Sequence, residues 1–224
     1  MMNQSYELVI FDWDGTLMDS VDRIVQSLQL SAKWNGVQVP NADDCKSVIG
    51  MSLDTAVATL FSSDDKASYG DLCDGYRRAY LSDEVVDAPI FQGIEELLKL
   101  LQQQNIKLAV ATGKGRQGLD RVLKQTGLGH FFCASAAGDE HPSKPNCAMI
   151  QHLMAITDVC SERTLMVGDS HLDLEMAINA GVDAVGVGCG VLTLEALNRL
   201  KPRYVVETTA QLCKVLTAPE GCNA

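Results

Sequence analysis

Three short apolar runs in this chain each stop at a polar residue. Leu8-Val9-Ile10-Phe11 ends at Asp12, the run from Ile106 to Ala111 ends at Thr112, and Thr164-Leu165-Met166-Val167 ends at Gly168-Asp169. A continuous apolar run of this length predicts a strand covered on both faces of a parallel sheet. Open α/β sheets hold their ligands just outside the carboxyl ends of such strands. The three strand ends therefore deliver Asp12, Asp14, Thr112 and Asp169 to one edge.

Between the first and second runs the pattern changes to a helical period. Ile24, Val25, Leu28 and Leu30 mark one amphipathic segment, and further helices are predicted over about 42–61 and 65–82. This helical block, roughly Met18 to Pro89, is long for a connection between strands, so it reads as an inserted cap domain. From Phe91 onward strands and helices alternate. Helices are predicted over Gly93–Gln104, Arg116–Gln125, Pro145–Ala155 with proline in the first turn, Leu172–Asn179, Leu194–Leu200 and Thr209–Leu216. Strands are predicted over Lys107–Ala111, Phe131–Ala136, Leu165–Val167, Ala184–Val187 and near Tyr204. Such alternation implies a doubly wound parallel sheet with helices on both faces. The expected fold class is α/β, with residues 1–17 and 91–224 forming the core and 18–90 a small α-helical cap.

Composition narrows the function classes. The net charge of -11 repels a phosphate backbone, which argues against a nucleic-acid partner. Eight cysteines occur without a CxxC pair, so free thiols are expected rather than a zinc site. No segment has the pattern of a signal peptide or a membrane span. The expectation is a cytoplasmic protein with no membrane association, acting as a monomer or small homo-oligomer.

The polar residues at the strand ends suit phosphoryl transfer, which needs a nucleophile, charge neutralisation, a proton donor and positioning. Asp12 is placed to attack phosphorus and form an aspartyl phosphate. Asp14 is placed to protonate the leaving oxygen and then deprotonate water. Two carboxylates so close to a phosphate call for a hard cation, Mg2+, with Asp169 as a further ligand. Lys144 offsets the charge, while Thr112 and Gly113 hold phosphate oxygens. Asp173, one helical turn beyond Asp169, supports that ligand or a metal-bound water. Each piece alone has a plainer reading, Asp169 as a helix N-cap and Asp173 as a solvated helix residue among them. It is their joint order along the chain that favours a site.

The series DWDGT, ATGK, KP and VGDSHLD resembles the motifs of the haloacid dehalogenase superfamily of phosphatases, from Leu8 to about Gly188. The position of the helical block is similar to that of helical-cap members, and the general pattern resembles phosphoglycolate phosphatase-like ones. The resemblance implies a Rossmann-like core, Asp12 as nucleophile and metal ligand, and Asp14 as acid/base and backbone-carbonyl magnesium ligand. It also implies Asp169 as the second carboxylate ligand, with Thr112 and Lys144 at the phosphate. Trp13 stands where such enzymes commonly carry Leu, Phe or Met. Thr16 favours phosphatases over phosphoglucomutase-like members, and Asp14 argues against dehalogenation.

The reading is thus an Mg2+-dependent phosphatase acting on a small phosphorylated metabolite. The alternatives are a phosphomutase of the β-phosphoglucomutase type and, from another class, a phosphate-binding regulatory protein without turnover. The helical block carries twelve acidic and six basic residues between Met18 and Phe91. Substrate contacts there must be few, with Arg23, Gly50 and Ser52 as the candidates.

Overall fold

The computed structural model describes residues 6–62 and 68–217. Its centre is a six-stranded parallel sheet in the order β3-β2-β1-β4-β5-β6. The strands are β1 (Leu8–Phe11), β2 (Lys107–Ala111), β3 (Ala134–Ala136), β4 (Thr164–Gly168), β5 (Asp183–Val187) and β6 (Tyr204–Val206). The run Leu8-Val9-Ile10-Phe11 is apolar at every position because both faces of β1 are covered. Val9 and Phe11 join one hydrophobic cluster with Leu97, Leu101 and Leu119, while Leu8 and Ile10 join the opposite one with Met149, Leu153 and Met176. Helices α5 (Ile94–Gln103), α6 (Arg116–Thr126) and α10 (Thr209–Thr217) contribute to the first layer. The second contains α7 (Ala148–Thr157), α8 (His171–Ala180) and α9 (Leu194–Arg199).

Among the described residues five helices lie between β1 and β2, and the first four form the insert: α1 (Val21–Trp34), α2 (Ala42–Ser47), α3 (Leu53–Leu60) and α4 (Tyr69–Tyr80). They bury two apolar clusters of their own, one around Ile24, Leu28, Cys45 and Ile49 and one around Val57, Phe61 and Leu72. The chain enters and leaves this insert through paired backbone. The Asp19 amide donates to Pro89 O (2.8 Å) and the Phe91 amide to Leu17 O (3.0 Å).

Local boundaries differ from the sequence pattern in three places. The helix expected from Pro145 begins at Ala148, because residues 145–147 form a connection opened by a cis Lys144–Pro145 peptide. Phe131 ends a 3₁₀ turn, Leu128–Phe131, and the strand starts only at Ala134. The segment 42–61 breaks into α2 and α3 around Gly50, whose φ of +101° no continuous helix allows. Positions 65–67 of the helix expected over 65–82, and Cys222, lie outside the described residues. No helix among the described residues is long and apolar enough to cross a membrane.

Candidate active site

The strand order puts β1 between β2 and β4, so three of the four sequence segments meet at one edge. Phe11 stands opposite Val110 on one side and Val167 on the other. Asp12, Thr112 and Asp169 follow these strands directly, and all three are buried. The fourth segment arrives from the loop before α7. Lys144 Nζ donates to Asp12 Oδ1 and Asp173 Oδ1, each at 2.7 Å, with its side chain fully enclosed. Burial works against a charged Lys144, yet Asp12 and Asp173 outweigh it and raise its pKa, so the ammonium persists.

Asp169 is fixed from several sides. Its Oδ1 accepts from Thr16 Oγ1 (2.9 Å) and its Oδ2 from the Val191 amide (2.7 Å). Gly15 and Gly190 approach so closely that a Cβ at either position would overlap the Asp169 carboxylate. That contact explains why both turns carry glycine. The N-cap role, the plainer reading of Asp169, is filled by Ser170, whose side chain forms a reciprocal capping box with Asp173. Asp173 is correspondingly enclosed rather than solvated. Its Oδ2 accepts from Ser170 Oγ at 2.6 Å, while its Oδ1 takes Lys144.

Carboxylate oxygens of Asp12, Asp169 and Asp173 lie within 4.8 Å of one another. Burial, opposed by Lys144, pushes the Asp12 carboxyl up; burial, reinforced by Asp173, pushes Asp169 up to about 7. Buried oxygens gathered this way, with one lysine among three acids, suit a hard divalent cation. The donor set therefore fits such an ion. The Asp14 side chain stands outside this group: Oδ1 accepts from Ser20 Oγ (2.7 Å) and Oδ2 lies 3.1 Å from Lys114 Nζ.

A cavity of about 1030 Å³ opens above these residues. Its floor includes Asp12, Asp14, Thr112, Gly113 and Lys114, and its roof comes from the helical insert through Ile24, Leu28, Ile49, Met51, Tyr76 and Tyr80. The insert touches the floor directly, since a Cβ on Gly113 would overlap the carbonyl oxygens of Gly50 and Met51. The Thr112 hydroxyl accepts the Lys114 amide at 3.2 Å, which closes the turn after β2. An Arg116–Glu140 ion pair (2.7 Å) and the Gly138 amide on Lys114 O (2.9 Å) brace this turn from the loop after β3.

The three candidates in the insert have separate placements. Arg23 lines the cavity, but its guanidinium donates to the carbonyls of Tyr80, Ser82 and Val86. Ser52 shares a hydroxyl hydrogen bond with Thr55 (2.7 Å), and its amide donates to Ser143 Oγ (2.9 Å) beside Lys144. Gly50 lies on the floor turn through its carbonyl. Lys114, Ser20 and Tyr80 also meet around Asp14, and no sequence pattern marks Ser20 or Tyr80 for the site. The only signal for Lys114 was its place directly after Thr112-Gly113.

Residues 9–187 match the model of the haloacid dehalogenase-like hydrolase family. Among relatives, the chain is 27% identical to a phosphoglycolate phosphatase of Vibrio parahaemolyticus, covering 96% of this chain and 98% of that one. It is 30% identical to a pyrophosphatase of Bacillus mycoides, covering 95% and 98%. A predicted phosphatase from Clostridium acetobutylicum has a similar crystal structure, with a TM-score of 0.82, 26% identity and coverage of 95% and 98%. The chain belongs to the haloacid dehalogenase-like hydrolase family.

Proposed function

We propose that this protein is a Mg2+-dependent phosphatase that hydrolyses a small phosphorylated metabolite through an aspartyl phosphate on Asp12. The observation that carries the reading is the convergence of Asp12, Thr112, Lys144 and Asp169 from three adjacent strand ends and one loop. A phosphoric monoester hydrolase of this family needs that set in one place.

Asp12 and Asp169 would hold the metal together with backbone carbonyl of Asp14, and Asp173 would steady the arrangement through Lys144 and Ser170. When bound, the cation supplies positive charge to the phosphoryl oxygens and keeps the buried acids ionised. A carboxylate oxygen of Asp12 attacks phosphorus while the bond to the leaving oxygen breaks. Asp14 passes a proton to that oxygen. In the second half a water gives its proton to Asp14 and displaces Asp12 from phosphorus, returning both residues to their starting state. Lys144 neutralises Asp12 and the incoming phosphate, and Thr112 with the Gly113 amide positions the phosphoryl oxygens. The helical insert serves as a cap over the cavity and keeps bulk water from the reacting centre.

The test is a phosphate-release screen over glycolate, sugar, nucleotide and pyrophosphate substrates, with Mg2+ and with chelator. Asp12→Asn is expected to abolish release for every substrate that the unaltered protein hydrolyses. Normal phosphomonoester hydrolysis by Asp12→Asn would refute the nucleophile assignment. Conversion of a hexose phosphate to its isomer would make the protein a mutase instead.

A further inference from the structure

Asp14 is held at both oxygens by residues from two different parts of the fold. Ser20, which holds Oδ1, immediately precedes α1, where the chain enters the cap. Lys114, which holds Oδ2, belongs to the braced turn after β2, and only 9% of its side chain is exposed. Lys114 also reaches the cap: its Nζ lies 4.6 Å from the centre of the Tyr80 ring and 3.5 Å from the Tyr80 hydroxyl. An ammonium enclosed against an aromatic face gains from the ring quadrupole more than an exposed one does. Tyr80 is placed in turn by Arg23, whose Nε and Nη2 donate to its carbonyl at 2.9 and 2.6 Å and whose guanidinium lies 5.2 Å from its ring. A continuous line of contacts thus runs from Arg23 in α1 through Tyr80 in α4 to Lys114 and Asp14.

We propose that Lys114 is a positioning residue for Asp14 and that Tyr80 completes it, so that protonation of the leaving oxygen depends on where the cap sits. A lone carboxylate on a short side chain rotates freely, whereas one tethered at both oxygens has a single orientation. Loss of the Lys114 contact releases Asp14, and loss of the Tyr80 ring releases Lys114. Arg23, a candidate substrate contact that lines the cavity, fixes the tyrosine through these bonds. The inference rests on the phosphatase reading, in particular on Asp14 as the proton donor.

The test compares kcat/KM for phenyl phosphate and 4-nitrophenyl phosphate, two esters of similar shape whose leaving groups differ in their need for a proton. This ratio reports steps up to departure of the leaving group, before the common hydrolysis of the aspartyl phosphate. General acid help is worth roughly 10²–10⁴ in rate, so Lys114→Met should lose about tenfold more on phenyl than on nitrophenyl phosphate. Tyr80→Leu should show the same ordering with a smaller split, and it carries the comparison should Lys114→Met fail to fold. Equal losses on both esters would overturn the inference, because a purely structural role or a direct substrate contact affects both alike. Asp14→Asn separates the two levels: a split with Asp14→Asn but not with Lys114→Met defeats the Lys114 inference alone. No split with Asp14→Asn defeats both that inference and the proton-donor assignment.

Discussion

Replacing Lys144 with methionine removes an enclosed ammonium and leaves two buried carboxylates, Asp12 and Asp173, each formerly 2.7 Å from Nζ. Methionine fills a similar volume, so the perturbation is chiefly electrostatic. Removing one partner of a buried ion pair costs about 3–5 kcal/mol, because the remaining charge stays desolvated. A chain of this size shifts in Tm by about 2–4 °C per kcal/mol, so a fall on the order of 10 °C is expected. That is a large share of a total stability of about 5–15 kcal/mol. The measurement is calorimetric unfolding with chelator present, so that no bound metal offsets the exposed acids. Arg199→Ala is the control. It removes an ion pair whose side chains are 76% and 78% exposed, and a surface pair of that kind is worth about 0.3–0.5 kcal/mol. Adding Asp173→Asn to Lys144→Met removes one of the stranded charges and should recover part of the loss, giving a non-additive cycle. A Tm change no larger than that of the control, or strict additivity in the double variant, would refute the electrostatic account.

Two further outcomes follow from the site geometry. Gly113→Ala would place a Cβ against the carbonyl oxygens of Gly50 and Met51, backbone atoms that cannot rotate away; steady-state kinetics should show kcat/KM lower by about tenfold or more, corresponding to about 1.4 kcal/mol of lost transition-state stabilisation, and overpacking of roughly 1–3 kcal/mol should lower Tm by several degrees as well. Chelator should abolish phosphate release, and Mg2+ at about 100 times its Kd should add about 2.7 kcal/mol of stability to the metal-free protein. Asp169→Asn should lose most of that gain in the same thermal assay.

What the sequence made legible follows from how far each interaction reaches. β1, β2 and β4 were readable because strands covered on both faces need apolar residues at every position, and the abrupt ends at Asp12, Thr112 and Asp169 marked the sheet edge. The same local logic misread Pro145. A proline suits the first turn of a helix, but this one precedes a connection that brings Lys144 to Asp12, 132 positions away. Asp169 and Ser170 both fit the local pattern of an N-cap; the tertiary contact from Val191 and the crowding by Gly15 and Gly190 commit Asp169 elsewhere. Tyr80 lies in no motif, and Lys114, although it closes the ATGK motif, carries no sequence mark that names Asp14 or Tyr80 as its partner. Arg23 stays a candidate for substrate contact because it lines the cavity, and a cation in a helical insert has no sequence mark that distinguishes a phosphate partner from the carbonyls at the end of a neighbouring helix.

The core and the helical insert make contact at the points where the proposed chemistry is organised. Gly113, whose amide is proposed to face the phosphate, lies under the carbonyls of Gly50 and Met51. Ser143, next to Lys144, accepts the Ser52 amide. Lys114 joins Asp14 to Tyr80. In the proposed mechanism, phosphate positioning, charge neutralisation and proton transfer each have a residue of the helical insert against the loop assigned to them. On the proposed assignments, a change in the placement of the insert would alter all three functions at once. On this reading the cap selects substrates through catalytic rate as well as through binding, because a leaving group that holds it out of register also loosens Gly113, Lys144 and Asp14.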